Sequence, residues 1–332
     1  MKIFIITDGN NQLGMGHIYQ SMTLVGYLLE QADYDLNITF ITKSDHCVIS
    51  LLKSSGCNVV SCKNDNEIFN LLASEKPDRI IFDKLDVSPL LAKKIKQELT
   101  AKLLIFTNLT TANDHADVAI LADIGSNFEN IFIKNKDTGQ IKIYGPKYWL
   151  IRPEFFLLKS NYKKDDSLVK NIMLIFGGAD PANLSSIVLD ELLTINIPFK
   201  ISIVLGAAFQ HQKELDKVIK SNGSLSTINI YRNVTNIAEM MSINDLVLAS
   251  PGLSFFESLV VGTPVIGFHQ DSLQQKTYKD ILPTVDKKDI DQLSYMITNN
   301  QFIFPHSSKI KKMAIGEGKD QIIQEILLKH EY

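Results

Sequence analysis

The chain has 332 residues, more than one ordinary core organises, so two domains of about 150 residues each are expected. Hydrophobic residues make up 45% and charged residues 21%, and a formal charge of −3 with no basic stripe argues against a general nucleic-acid binder. Cys47, Cys57 and Cys62 are odd in number and form no CxxC pair, which argues against a disulfide scaffold or a zinc site and fits buried free thiols in a reducing cytoplasm.

In chain order, short apolar runs alternate with helical patterns. Strands are predicted over 2–7, 38–42, 58–60, 79–82 and 103–106, with 118–121 as an extension, and helices over 17–30, 46–54, 66–74 and 88–98. Short, nearly all-apolar strands suit a parallel sheet covered on both faces. Residues 143–156 break this rhythm with two prolines, a glycine and the only tryptophan, and a polar stretch at 160–167 follows. Strands then return over 171–176, 200–206, 228–231, 245–249 and 264–268, with helices over 182–193, 208–221, 235–242 and 253–261 and an amphipathic tail helix over 319–330. "MKIFIIT" is too short for a signal-peptide core, and no apolar run reaches the ~18 residues of a membrane span. The expectation is a cytoplasmic protein with no integral membrane segment.

The fold class is therefore α/β: two doubly wound, Rossmann-like domains facing across a cleft. The predicted division is 1–150, a linker over 151–168, and 169–332. Ligands of such sheets bind beyond the carboxyl ends of the strands, so the cleft is the expected site.

"TDGNNQLGMGHIYQ" (7–20) follows the first strand. It is neither a Walker loop nor a GxGxxG fingerprint. Gly14 and Gly16 free the backbone for a positive φ and a close ligand approach. His17 then stands at a helix start, where a neutral imidazole can take a proton from water or a sugar hydroxyl. The alternative for His17 is a cap or a packing residue.

The second half carries phosphate signals. "FGGADPANL" (176–184) places Gly177 and Gly178 after a strand, with a helix start predicted near Asp180–Pro181. "SPGLSFFES" (250–258) follows the candidate strand over 245–249. There Pro251 and Gly252 lead into a helix opened by Leu253 and Ser254, whose amides suit a diphosphate. Glu257 lies five residues beyond Gly252 and suits a vicinal diol. His269, Gln274 and Gln275 follow the 264–268 strand as further polar candidates; each also reads as an ordinary solvated residue.

With these residues assembled, the sequence resembles the UDP-2,4-diacetamido-2,4,6-trideoxy-β-L-altropyranose hydrolases of pseudaminic acid synthesis. The spore coat polysaccharide proteins are similar to that family, and the wider superfamily is glycosyltransferase-B. The resemblance runs through residues 14–25, 77–86, 144–155, 176–184 and 252–266. It implies a GT-B fold, a UDP-sugar held mainly by the second domain, no required cofactor or metal, and His17 as the group that activates water. The chain also departs from the family. Gln20 stands where the family has Arg, Asp83-Lys84-Leu85 where it has Asp-His-Tyr, and Thr107-Asn108 where it has an Asp pair. Asp83 and Gln20 join the substrate-side candidates on this alignment. Three readings stand together: a nucleotide-sugar hydrolase, a glycosyltransferase whose acceptor hydroxyl replaces water, and a non-catalytic nucleotide-sugar binder.

Overall fold

The computed structural model describes residues 1–10, 14–122, 128–161, 168–221, 225–278, 282, 284–305 and 307–328. The chain divides into two compact units. The first comprises Met1–Asn10, His17–Leu150 and Met313–Tyr332, and the second Asn11–Gly16 and Ile151–Lys312.

In the first unit the strands are β1 (Lys2–Thr7), β2 (Asn37–Thr42), β3 (Asn58–Ser61), β4 (Arg79–Asp83), β5 (Lys102–Phe106), β6 (Val118–Leu121), β7 (Ile131–Lys134) and β8 (Ile141–Tyr144). They form one sheet in the order β3-β2-β1-β4-β5-β6-β8-β7, parallel except for the antiparallel β7–β8 pair. Ile3, Ile5, Ile80, Ile81, Leu103 and Leu104 have no exposed surface, so successive residues are buried on opposite faces. That is the burial of a sheet covered on both sides. The covering helices start where the sequence supplies caps. Asp45 accepts from the Cys47 and Val48 amides at 3.0 and 3.2 Å, Asn64 from Glu67 at 3.0 Å and Ser88 from Leu91 at 3.3 Å.

The second unit holds β9 (Asn171–Ile175), β10 (Lys200–Leu205), β11 (Thr227–Arg232), β12 (Leu246–Ala249), β13 (Val265–Phe268) and β14 (Thr284–Val285). Its sheet is wholly parallel in the order β11-β10-β9-β12-β13-β14. Numbered from β9, that is 3-2-1-4-5-6, the order of dinucleotide-binding sheets, and the first six strands of the other unit repeat it.

Two sequence expectations are corrected here. The tail does not stay with 169–312. The helix Lys319–Leu327 belongs to the first unit, where it buries Ile322, Ile323 and Ile326. There Arg79 Nε donates to the Ile326 carbonyl at 2.6 Å and Lys102 Nζ to the Glu325 carbonyl at 2.6 Å. Residues 151–161 are likewise part of the second unit. They include the helix Pro153–Leu157, opened by its proline, with Phe155 fully buried.

Within the second unit, the backbones of two loops touch at glycines. A Cβ on Gly206 would lie 2.4 Å from Gly178 Cα and 2.5 Å from Gly178 O. Both are main-chain atoms, so no side chain can rotate away. Gly206→Ala is expected to cost about 2 kcal/mol, a typical overpacking penalty, read as a lower urea midpoint. An unchanged midpoint would show that the two loops separate freely.

Candidate functional site

In the first unit, β1 and β4 are neighbours, yet the chain between them runs outward to β3 and back. The strand order reverses at this pair, which is where open α/β sheets bind ligands. Gly14 takes φ +77° before the helix Gly16–Gln31 begins. That helix presents His17, Gln20 and Ser21 on one face, because positions i, i+3 and i+4 line up. All three converge on Asp83, the last residue of β4, which is paired with Thr7. Asp83 Oδ1 lies 2.8 Å from His17 Nδ1 and accepts from Gln20 Nε2 at 3.0 Å, while Oδ2 accepts from Ser21 Oγ at 2.8 Å. Gln20 Nε2 also reaches Thr107 Oγ1 at 3.4 Å.

An ionised carboxylate only accepts, so His17 Nδ1 carries a proton. The neutral ring then has its lone pair on Nε2, the tautomer a general base needs. Asp83 is 1% and Gln20 5% exposed, whereas the His17 side chain keeps 15%. The sequence placed Gln20 and Asp83 among substrate contacts. The structure buries both, with the Asp83 oxygens taken by His17, Gln20 and Ser21 and the Gln20 Nε2 by Asp83 and Thr107.

A second buried cluster adjoins this one in sequence. Asp8, just past β1, accepts from the Lys43 amide at 2.7 Å and from Thr42 Oγ1 at 3.2 Å. Lys84, just past β4, donates to Asp8 Oδ2 at 2.7 Å and lies 3.1 Å from Asp86. Burial pushes the Asp8 carboxyl up, and hydrogen bonds from Lys84 and Lys43 outweigh it, leaving Asp8 below the usual carboxylate range. For Lys84, burial favours the neutral amine, but its bond to Asp8 and the Asp8 charge raise it above an ordinary lysine.

In the second unit the order reverses between β9 and β12. Gly177 follows β9 with φ +81°. The helix after it begins at Leu184, not near Pro181. Asp180, at φ +48°, still caps it from a distance: Oδ1 accepts from the Leu184 amide and Oδ2 from the Ser185 amide, both at 2.8 Å. Those amides are thus met by a carboxylate of the chain itself, which disfavours a phosphate there. The other helix start differs. Gly252, at φ +153°, is the N-cap of Leu253–Val261 and has no side chain to offer the first amides. Leu253 and Ser254 form its first turn, and Pro251 before it is buried.

Glu257 lies one turn along this helix with no exposed surface. Its Oε1 accepts from Arg152 Nε at 3.0 Å, and its Oε2 is buried with no hydrogen-bond partner among the described residues. Burial raises its carboxyl above the ordinary value, with the Arg152 charge opposing.

Each of the later polar candidates has at least one polar atom bonded within the chain, while His269 Nε2 is buried with no partner among the described residues. Gln274 Nε2 donates to the Pro251 carbonyl at 2.9 Å, and its Oε1 accepts from the Gln270 amide at 2.9 Å. His269 Nδ1 lies 2.7 Å from Asp286 Oδ1, and Gln275 Nε2 bonds the other Asp286 oxygen. Sequence reasoning missed Gln270, which ties three loops together. Its Nε2 bonds Phe176 O, Asp180 Oδ1 and Ser250 Oγ at 3.0, 3.1 and 3.0 Å, and its Oε1 accepts from Ala182 N at 3.0 Å. Its only sequence signal is its place just after a strand.

No protein-family model matches the chain. An uncharacterized protein of Methanocaldococcus jannaschii is 37% identical over 330 residues; the match covers 98% of this chain and 66% of that protein, just under two thirds of its length. The spore coat polysaccharide biosynthesis protein SpsG of Bacillus subtilis is 27% identical over 289 residues, covering 84% of this chain and 80% of SpsG. The UDP-2,4-diacetamido-2,4,6-trideoxy-β-L-altropyranose hydrolase of Campylobacter jejuni is 25% identical over 269 residues, covering 79% and 89%. Among solved structures, Acinetobacter baumannii MurG superposes with a TM-score of 0.63 at 14% identity, covering 98% of this chain and 99% of MurG. Anabaena HepE in complex with UDP-glucose gives 0.59 at 13% identity, covering 98% and 95%. At such identities these two speak for the fold, which is GT-B. Among the described residues no helix is long and apolar enough to cross a membrane.

Proposed function

The chain belongs to the GT-B-fold family that includes SpsG and the altropyranose hydrolase, and we propose that within it this protein hydrolyses a nucleotide sugar, most readily a UDP-sugar with a diamino-type sugar for surface polysaccharide or nonulosonic acid synthesis. The observation that carries the reading is the His17–Asp83 pair at the point of strand reversal in the first unit. Asp83 sets the tautomer and steadies the imidazolium that forms; Gln20 and Ser21 hold Asp83. Nε2 takes a proton from water as its oxygen bonds the anomeric carbon. The bond from that carbon to the diphosphate oxygen breaks, and UDP leaves with the electron pair. The second unit supplies the nucleotide contacts. Backbone amides at Leu253 and Ser254 meet the charge growing on the diphosphate, and Glu257 takes the ribose hydroxyls. Gly14, Gly16, Gly177 and Gly252 have open space where a Cβ would stand and leave room for the ligand in their loops, whereas Gly178 is packed against Met15.

A panel of UDP- and CMP-sugars tests the reading. Nucleotide release without an acceptor is the expected result. Release only when a glycan or lipid acceptor is added would make the protein a glycosyltransferase, as a Rickettsia africae ESF-5 protein of the same fold is named. UDP binding with no turnover on any sugar would make it a binder.

A further inference from the structure

The strap 151–161 lies along the helix Leu253–Val261. Ser160 N donates to the Val261 carbonyl at 2.8 Å and Asn161 N to the Ser242 carbonyl at 3.0 Å. Arg152 stands at the head of this strap, and its guanidinium is fixed on three sides. It sits 4.6 Å from the Phe155 ring centre, 3.5 Å from Glu154 Oε1 and 3.0 Å from Glu257 Oε1. One oxygen of Glu257 is therefore committed to the chain. The other, Oε2, is a fully buried carboxylate oxygen with no donor among the described residues. Such an atom is costly to leave unsatisfied, and native structures seldom retain one without a use.

We propose that Arg152 is a positioning residue for nucleotide recognition: by holding Oε1 through its Nε–H, it turns Oε2 of Glu257 into an acceptor reserved for a ligand hydroxyl, of the kind a ribose diol supplies. This rests on the reading above that Glu257 meets the ribose. A bare positive charge beside Glu257 would not do the same. An ammonium neutralises the carboxylate without fixing which oxygen faces the ligand, whereas the planar guanidinium donates along a set direction. The Phe155 ring and Glu154 keep that plane from turning.

The full-length protein is titrated calorimetrically with UDP, its 2′-deoxy and 3′-deoxy analogues, and inorganic pyrophosphate, as wild type, Arg152→Lys and Arg152→Met. Arg152→Lys keeps the charge and is the milder variant should Arg152→Met fail to fold. Wild type is expected to prefer UDP over the weaker deoxy analogue by about tenfold, the worth of one hydrogen bond to a charged group. In Arg152→Lys that preference falls to within about twofold of unity, while pyrophosphate affinity stays unchanged. A preference retained in Arg152→Lys overturns the positioning role and leaves the ribose reading standing. No preference in wild type overturns the ribose reading, and this proposal with it. Loss of pyrophosphate binding in step with the preference would also overturn it, since that reports a general disturbance.

Discussion

Turnover in His17→Ala is expected to fall by about 10²-fold or more, as for loss of a general base, with UDP affinity little changed. The split between rate and affinity follows from placement: His17 lies in the first unit, while the proposed nucleotide contacts lie in the second. Asp83→Asn is the companion measurement. A carboxylate accepts from His17, Gln20 and Ser21 at once. An amide that turns its NH₂ toward Nδ1 forces the ring proton onto Nε2, the atom that must accept from water. Asp83→Asn is therefore expected to lose at least about 10²-fold while remaining folded. Nucleotide release at the wild-type rate in His17→Ala would remove His17 from the mechanism. A large loss in His17→Ala with none in Asp83→Asn would leave the base in place and remove its orienting partner.

The sheets were legible because parallel strands buried on both faces are written as short apolar runs. All eleven such runs became strands within about a residue or two of the predicted limits. The elements missed were those whose burial comes from elsewhere. β7 is an edge strand whose apolar run Ile131–Ile133 is only three residues long, is followed by Lys134 and is largely exposed rather than buried on two faces. β14 has two residues. The return of the tail helix to the first unit is a matter of tertiary packing on Arg79 and Lys102, which no local pattern records. At the candidate site, His17 and its glycines were legible, and so was the helix opened by Gly252. The i, i+3, i+4 set His17, Gln20 and Ser21 was also present as a helix-face pattern, but its meaning depends on a carboxylate sixty-odd residues away at the end of β4. A spacing rule cannot see that strands β1 and β4 lie side by side. The same blindness hid Gln270 and Arg152, whose roles exist only once distant loops meet.

The adjacency of β1 and β4 also makes the Asp8–Lys84 pair consequential, and Asp8→Asn is expected to lower the stability of the first unit by about 3 kcal/mol at pH 7. The two side chains are 9% and 11% exposed, so removing one charge strands the other in poorly hydrated surroundings. Among the described residues, Asp86 is the remaining ion-pair partner of Lys84, and at 71% exposed it is a weak substitute. For a domain of this size the loss corresponds to a melting temperature lower by roughly 6–12 °C. The pH dependence has two signs. The Asp8 carboxyl is held below its unfolded value, so its contribution is complete above the ordinary carboxylate range and fades as acid protonates it. The Lys84 amine is held above its unfolded value, so its contribution is complete below about pH 10.5 and fades as base removes the proton. The gap between wild type and Asp8→Asn should therefore be flat across neutral pH and close below about pH 4. A gap that stays constant down to pH 3 would mean that the carboxylate charge contributes nothing there. Because Asp8 follows β1 and Lys84 immediately follows Asp83, the pair also ties together the two strand ends that bring His17 onto Asp83. If the proposed hydrolysis is the activity, its rate in Asp8→Asn should fall more than nucleotide binding, even at temperatures where the protein remains folded.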